Sequence, residues 1–365
     1  MSVRNIADGI LCAAALVVAS AFLGHVMAQG TVGIMKPPTL YRLKIDAAFP
    51  EPLFPKDNQL TEQGIELGRR LFFDKSLSRG GDVACASCHK PEAAFADDSP
   101  FSHGIGATRR NSMPLFNLAW RRNFFWDGRT SSIREQVIHP LTDAKEMGAD
   151  VDALVAKLAK DPKYTRLFAD AFCTTQPTSA TLALALEQFL LVQISQDSKF
   201  DKVRRGEAAF TEEEQHGLQL FYTEYDPARG QRGADCFHCH GNVLFTNERY
   251  ANNGLETTET DTGRFESSAR PYEKWCFKVP SLRNVALTAP YMHDGRFKTL
   301  EDVVNHYDHG VTETETLDPS ISKHGGPMNL SAEDKKALVA FLKTLTDEQF
   351  VAHAKALEPS PMPPH

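Results

Sequence analysis

Two copies of Cys-x-x-Cys-His constrain this chain more than any other feature: Cys85-Ala86-Ser87-Cys88-His89 and Cys236-Phe237-His238-Cys239-His240. In each, two thiols can add to the vinyl groups of one haem, and the adjoining histidine lies where its imidazole can ligate the iron. A zinc ribbon also starts from Cys-x-x-Cys, but it needs the two pairs to converge on one metal, and neither histidine is then required. A redox dithiol does not require the histidine either. The repeated five-residue pattern predicts two covalent haem c groups.

The 365 residues, 42% hydrophobic and 24% charged, suffice for two ordinary domains. Seven cysteines are present: four in the haem motifs, Cys12 near the N-terminus, and Cys173 and Cys276. The last two can form a disulfide in an oxidising compartment or remain buried thiols. The chain begins Met1-Ser2-Val3-Arg4, continues with an apolar stretch from Ile10 to Leu23, and reaches small residues ending at Ala28. That is a secretory signal pattern, with cleavage expected after Ala28 and a periplasmic product. An uncut segment would be an N-terminal anchor, and no other stretch is long and apolar enough to span a bilayer. A net charge of −7 argues against nucleic-acid binding, because no basic surface is implied.

After a proline-rich lead-in (residues 29–55), the chain repeats itself. Thr61-Glu62-Gln63-Gly64 leads through Leu71-Phe72-Phe73 to the first haem motif, and Thr211-Glu212-Glu213-Glu214 through Leu220-Phe221-Tyr222 to the second. Both openings suit a Thr-capped helix with acidic residues in its first turn. Pro114-Leu115-Phe116-Asn117 then precedes Trp126-Asp127-Gly128-Arg129, as Pro280-Ser281-Leu282-Arg283-Asn284 precedes His293-Asp294-Gly295-Arg296. Each half closes with an amphipathic helix, Thr181 to Ile194 and a second from Ser331. The expected fold is mainly α, with two tandem cytochrome c-like domains over 56–200 and 201–350 and a tail over 351–365.

The duplication also compares the far sides of the two irons. Aligning Asp127-Gly128-Arg129 with Asp294-Gly295-Arg296 places Pro140 opposite Tyr307. A phenolate oxygen can ligate haem iron, whereas a proline side chain has no donor. One iron should therefore be capped and the other left with an open position. That suits an enzyme better than an electron carrier. His306 and His309 are competing donors whose simpler reading is surface or supporting histidines.

Over roughly residues 55 to 350 the chain resembles the bacterial dihaem cytochrome c peroxidase superfamily, and more closely its MauG-like branch, which includes MbnH. The resemblance rests on both haem motifs, Arg110-Asn111-Ser112, Phe125-Trp126-Asp127-Gly128-Arg129, Glu146-Met147-Gly148 and Pro290-Tyr291-Met292-His293-Asp294-Gly295. It implies peroxide reduction at the N-terminal haem, with electrons or oxidising equivalents passing through the C-terminal one. Ordinary peroxidases of the family place Met at the second distal position. Here the run Leu300-Glu301-Asp302-Val303-Val304-Asn305-His306-Tyr307 puts Tyr307 there, as in MauG. An oxygen donor favours ferric and higher oxidation states relative to a thioether.

The same resemblance implies that Trp126 lies between the haems as an electron relay, although a buried aromatic anchoring two domains explains it too. It implies Glu146 as the acid/base that moves a peroxide proton, with Gln136 a positioning amide, where an unmatched glutamate would be a surface acid. His103 falls where reductively activated relatives keep a removable ligand on the peroxidatic iron, and the sequence leaves its role open. Asn111, Thr288 and Pro290 match positions that hold calcium between the domains, though turn formation accounts for the same residues.

Three functions remain. The first is a MauG-like peroxide-dependent oxidase acting on a partner protein. The second is a cytochrome c peroxidase that removes hydrogen peroxide with electrons from a small cytochrome or copper protein. The third is a non-catalytic dihaem carrier, against which Glu146 and Pro140 speak. Family members include monomers and homodimers, so the oligomeric state stays open.

Overall fold

The structure, a computed structural model, describes residues 36–255 and 259–359. The expected signal segment with Cys12 and the last residues of the expected tail lie outside it. The described chain is mainly helical. Its named strands are two short antiparallel pairs, Tyr225–Asp226 with Gln231–Arg232 and Tyr250–Ala251 with Phe277–Lys278. No helix among the described residues is long and apolar enough to cross a membrane.

Each half is built on one crossed helix pair. Thr61 caps the helix Glu62–Phe73, its Oγ1 accepting from the Gly64 amide at 3.0 Å. Thr211 caps Glu212–Tyr222 in the same way, and Glu214 returns a bond to the Thr211 amide at 2.8 Å. The first helix crosses Ser179–Leu191 and the second crosses Ala332–Lys343. Glycine marks both crossings. A Cβ on Gly68 would run into the Ala185 carbonyl oxygen, and one on Gly217 into that of Ala337. Only glycine lets the two backbones approach so closely.

Beside each crossing stands the same aromatic trio. Phe72 meets Phe95 edge to face at 5.7 Å and Phe189 at 5.1 Å. Phe221 meets Phe245 edge to face at 6.0 Å and Phe341 at 5.1 Å. These rings are buried and anchor two separate apolar cores. Edge-to-face pairs add ~0.5–1.5 kcal/mol beyond the area they bury. The helix expected from Thr181 starts earlier, at Ser179, because Thr178 caps it: Thr178 Oγ1 accepts from Thr181 N, and Thr181 Oγ1 accepts from Thr178 N.

Buried polar contacts brace the second half and tie it to the first. Arg283 and Asp201 are both inaccessible to solvent and share two bonds of 2.8 Å. Removing either partner would strand a buried charge, at a cost of ~3–5 kcal/mol. Asn117 of the first half and Asn284 of the second both bond to Ser195. Residues past 350, expected as a tail, instead complete the helix Glu348–Lys355, capped by Asp347. It returns to the first half, where Phe350 packs on Phe95 and Phe116. The apolar side chains Phe350, Val351 and Ala354 drive this return by burying themselves in the N-terminal core.

Candidate active site

Each half encloses a cavity at its Cys-x-x-Cys-His motif. The first contains about 2350 Å³ of atom-free space, mouth included, and its wall includes Cys85, Cys88, His89, Gln136, Pro140 and Glu146. The second contains about 1440 Å³, with Cys236, Cys239, His240, Met292 and Tyr307 in its wall. The two cysteine pairs thus serve separate cavities and do not converge on one metal.

Both motif histidines are aimed by the same device. His89 Nδ1 lies 2.9 Å from the Phe95 carbonyl oxygen, and His240 Nδ1 lies 2.8 Å from that of Phe245. Phe95 and Phe245 share a positive φ, 59° and 53°. A carbonyl only accepts, so Nδ1 carries the proton and Nε2 keeps its lone pair. Burial pulls both imidazoles below their usual pKa, His240 to about 4. Each stays neutral, the form that ligates a metal.

A second observation concerns charge. Arg121 lies buried in the wall of the first cavity, its Nη2 without a hydrogen-bond partner. Burial depresses its pKa, opposed by the charge of Glu248. A buried guanidinium in that state calls for an anion. Lys278, in the wall of the second cavity, has its own carboxylate, Glu248, at 2.6 Å. Paired thiols, a lone-pair nitrogen and an unanswered cation fit a haem, whose edge bears carboxylates. Arg121 was missed in the sequence because nothing distinguishes it there from its exposed neighbour Arg122.

The open sides of the cavities differ. Ser132 caps the helix Ile133–Thr142, which carries Gln136 and Pro140 one turn apart. The loop that follows folds back through Met147 N to Pro140 O (3.1 Å) and Ile105 N to Glu146 O (2.9 Å), which fixes Glu146 in the wall. Burial, helped by the Asp143 charge and opposed by Arg129, raises the Glu146 carboxyl to about 6.

In the second half, the helix Leu300–Asn305 widens into a π-turn over His306–Gly310 and sets Tyr307 in the cavity wall. Such turns reposition side chains at sites. Asn253 Nδ2 donates to Tyr307 Oη at 3.2 Å, and burial pushes the phenol up to about 12. His306 is turned away, its Nε2 2.9 Å from the Asn253 carbonyl oxygen, and His309 is exposed beside Asp308.

Trp126 borders both cavities. Its Nε1 donates to Asn111 O at 2.8 Å, and its carbonyl accepts from Lys278 N at 2.7 Å. Asn111, Thr288 and Pro290 all line the second cavity. Asn111 Nδ2 is committed to Ser99 O at 2.9 Å, which leaves Oδ1 as the acceptor. His103 is exposed and is absent from the first cavity's wall, where its neighbour Ser102 is found. Cys173 and Cys276 are not joined to one another.

The family model for di-haem cytochrome c peroxidase matches residues 62–209. The methylamine utilization protein MauG of Methylorubrum extorquens is 36% identical over 299 residues, covering 80% of this chain and 81% of that protein. Cytochrome c551 peroxidase of Nitrosomonas europaea is 31% identical over 295 residues, covering 78% and 80%. Among solved structures, a MauG-like protein associated with microbial copper homeostasis matches with a TM-score of 0.76 and 33% identity, over 85% of this chain and 97% of that one. The diheme peroxidase BthA of Burkholderia thailandensis shares the fold, with a TM-score of 0.67 and 24% identity over 86% and 95%. Two haem-attachment sites in two matched halves, and relatives alike over most of their length, make this chain a member of the di-haem cytochrome c peroxidase and MauG family.

Proposed function

We propose that this protein is a MauG-like oxidase that uses hydrogen peroxide in its first cavity to withdraw electrons from aromatic side chains of a partner protein. The carrying observation is the inequivalence of the two open sides, Pro140 in one and Tyr307 in the other. Cys85, Cys88 and His89 would hold one haem c and Cys236, Cys239 and His240 a second, and these groups would supply the redox capacity to take peroxide to two waters. The chain's own residues do the rest.

Pro140 brings no donor atom, so space for peroxide remains in the first cavity. Glu146 accepts the proton of the near oxygen and returns it to the far one, which then leaves as water. Its pKa of about 6 suits both halves of that transfer near neutral pH. The Gln136 amide orients the peroxide, and Arg121 holds a haem carboxylate. Trp126, common to both cavities, relays electrons between the halves. Tyr307, in the wall of the second cavity, would hold the second haem iron through its oxygen, which would favour oxidised states there. Asn111 Oδ1 with the Thr288 and Pro290 carbonyls would offer hard oxygen ligands to a calcium ion. The N-terminal signal pattern supports a periplasmic location.

A second reading is a peroxidase fed by a small cytochrome c or copper protein, favoured by the similarity to cytochrome c551 peroxidase. Adding stoichiometric peroxide to the haem-loaded ferric protein, without reductant, separates the two. A direct, long-lived oxidised species involving both haems supports the first reading. A requirement for prior reduction supports the second.

A further inference from the structure

The repeat that opposes Pro140 to Tyr307 makes a second pairing of the same kind. Phe125 precedes Trp126-Asp127-Gly128-Arg129 as Met292 precedes His293-Asp294-Gly295-Arg296. The two turns are alike in detail. A bridge joins Phe124 to Thr130 in one and Tyr291 to Phe297 in the other. Gly128 N bonds to Phe125 O at 3.2 Å, and Gly295 N bonds to Met292 O at 3.2 Å. Phe125 has φ 66° and Met292 has φ 76°, a conformation rare for residues with side chains. Each turn places its side chain in the wall of its own cavity.

What those side chains offer differs. The Phe125 ring is covered by the Arg129 guanidinium, whose carbon lies 3.3 Å from the ring centre, and it has no donor atom. Met292 carries a thioether sulfur. Asn253 Nδ2 is 3.5 Å from Met292 Sδ and 3.2 Å from Tyr307 Oη, so one amide group touches both potential ligands. At these two paired positions the first cavity therefore presents side chains without a donor atom, and the second presents side chains with one.

We propose that Met292 is a second axial donor for the C-terminal haem iron and takes the place of Tyr307 when that iron is reduced. This rests on the reading that Tyr307 caps the haem. Oxygen anions suit ferric iron and soft thioethers suit the ferrous state. Methionine's unbranched, freely rotating side chain suits such a movement. The exchange consumes one electron from a one-electron donor such as a small c-type cytochrome. Iron passes from ferric to ferrous, the iron–oxygen bond breaks, the phenolate oxygen takes a proton from water, and an iron–sulfur bond forms. Asn253 holds whichever side chain is not bound.

The test compares haem-loaded wild type, Tyr307→Phe, Met292→Leu and the double variant, all with equal haem content and far-ultraviolet circular dichroism. Near-infrared spectra are taken in the ferric state and visible spectra after full reduction with dithionite. Ferric Tyr307→Phe should gain a thioether-to-iron charge-transfer band that wild type lacks and the double variant loses. Met292→Leu should keep the wild-type ferric spectrum but convert the reduced C-terminal haem from six-coordinate low-spin to five-coordinate high-spin. If Tyr307→Phe alters the ferric spectrum without that band, and reduced Met292→Leu matches wild type, the exchange is wrong while Tyr307 ligation stands. A ferric spectrum untouched by Tyr307→Phe overturns both.

Discussion

The two cavities have matching frames and differ in the side chains that line their walls opposite one another in the repeat. Around both, a glycine crossing, a phenylalanine trio and a carbonyl-bonded histidine recur with nearly the same distances. On the open sides, the first cavity has Pro140 and Phe125 where the second has Tyr307 and Met292. Duplication thus preserved what holds a haem and changed what can reach it. Under the proposed function, reactivity and storage fall to separate halves through a few side chains, with the packing left intact.

Breaking the reactive half should have the largest effect. His89→Ala should abolish the reaction with peroxide, followed by stopped-flow absorbance, while the spectrum of the second haem persists. His240→Ala should instead leave a peroxide reaction in the first cavity that no longer spreads to the second.

Glu146→Gln should lower the peroxide rate ~10²–10⁴-fold, the usual worth of a positioned acid/base. The pH profile sharpens this. With its pKa raised to about 6, the carboxyl is protonated below that value and cannot accept a proton. The wild-type rate should therefore rise with pH through about 6, and this limb should vanish in the variant. An unchanged profile would remove Glu146 from the proton transfer.

The smallest effect tests the shared frame. Gly68→Ala and Gly217→Ala each force a methyl group against a facing carbonyl oxygen. Each should cost ~1–3 kcal/mol, as overpacking does. Thermal unfolding should show similar losses for the two, since the crossings match. A large loss at one site only would mean that the halves are not equivalent scaffolds.

Much of this was legible in the sequence because the repeat supplies its own control. The haem motifs, the Thr-capped helices and the Pro140–Tyr307 contrast follow from aligning one half with the other. Arg121 was hidden because burial, not residue type, gives it meaning. Asn253 lies in a loop far from Tyr307 in the chain, so their contact is a product of folding. The helix Glu348–Lys355 read as a tail because its partner rings, Phe95 and Phe116, belong to the opposite half. Local pattern marks which residues want burial but not which core will take them.

The most direct test is the low-temperature electron paramagnetic resonance spectrum of the resting, haem-loaded ferric protein. One high-spin signal from the first cavity, removed by peroxide, beside one low-spin signal from the Tyr307-capped haem is the expected result. Two low-spin signals, neither responding to peroxide, would contradict the inequivalence of the two halves.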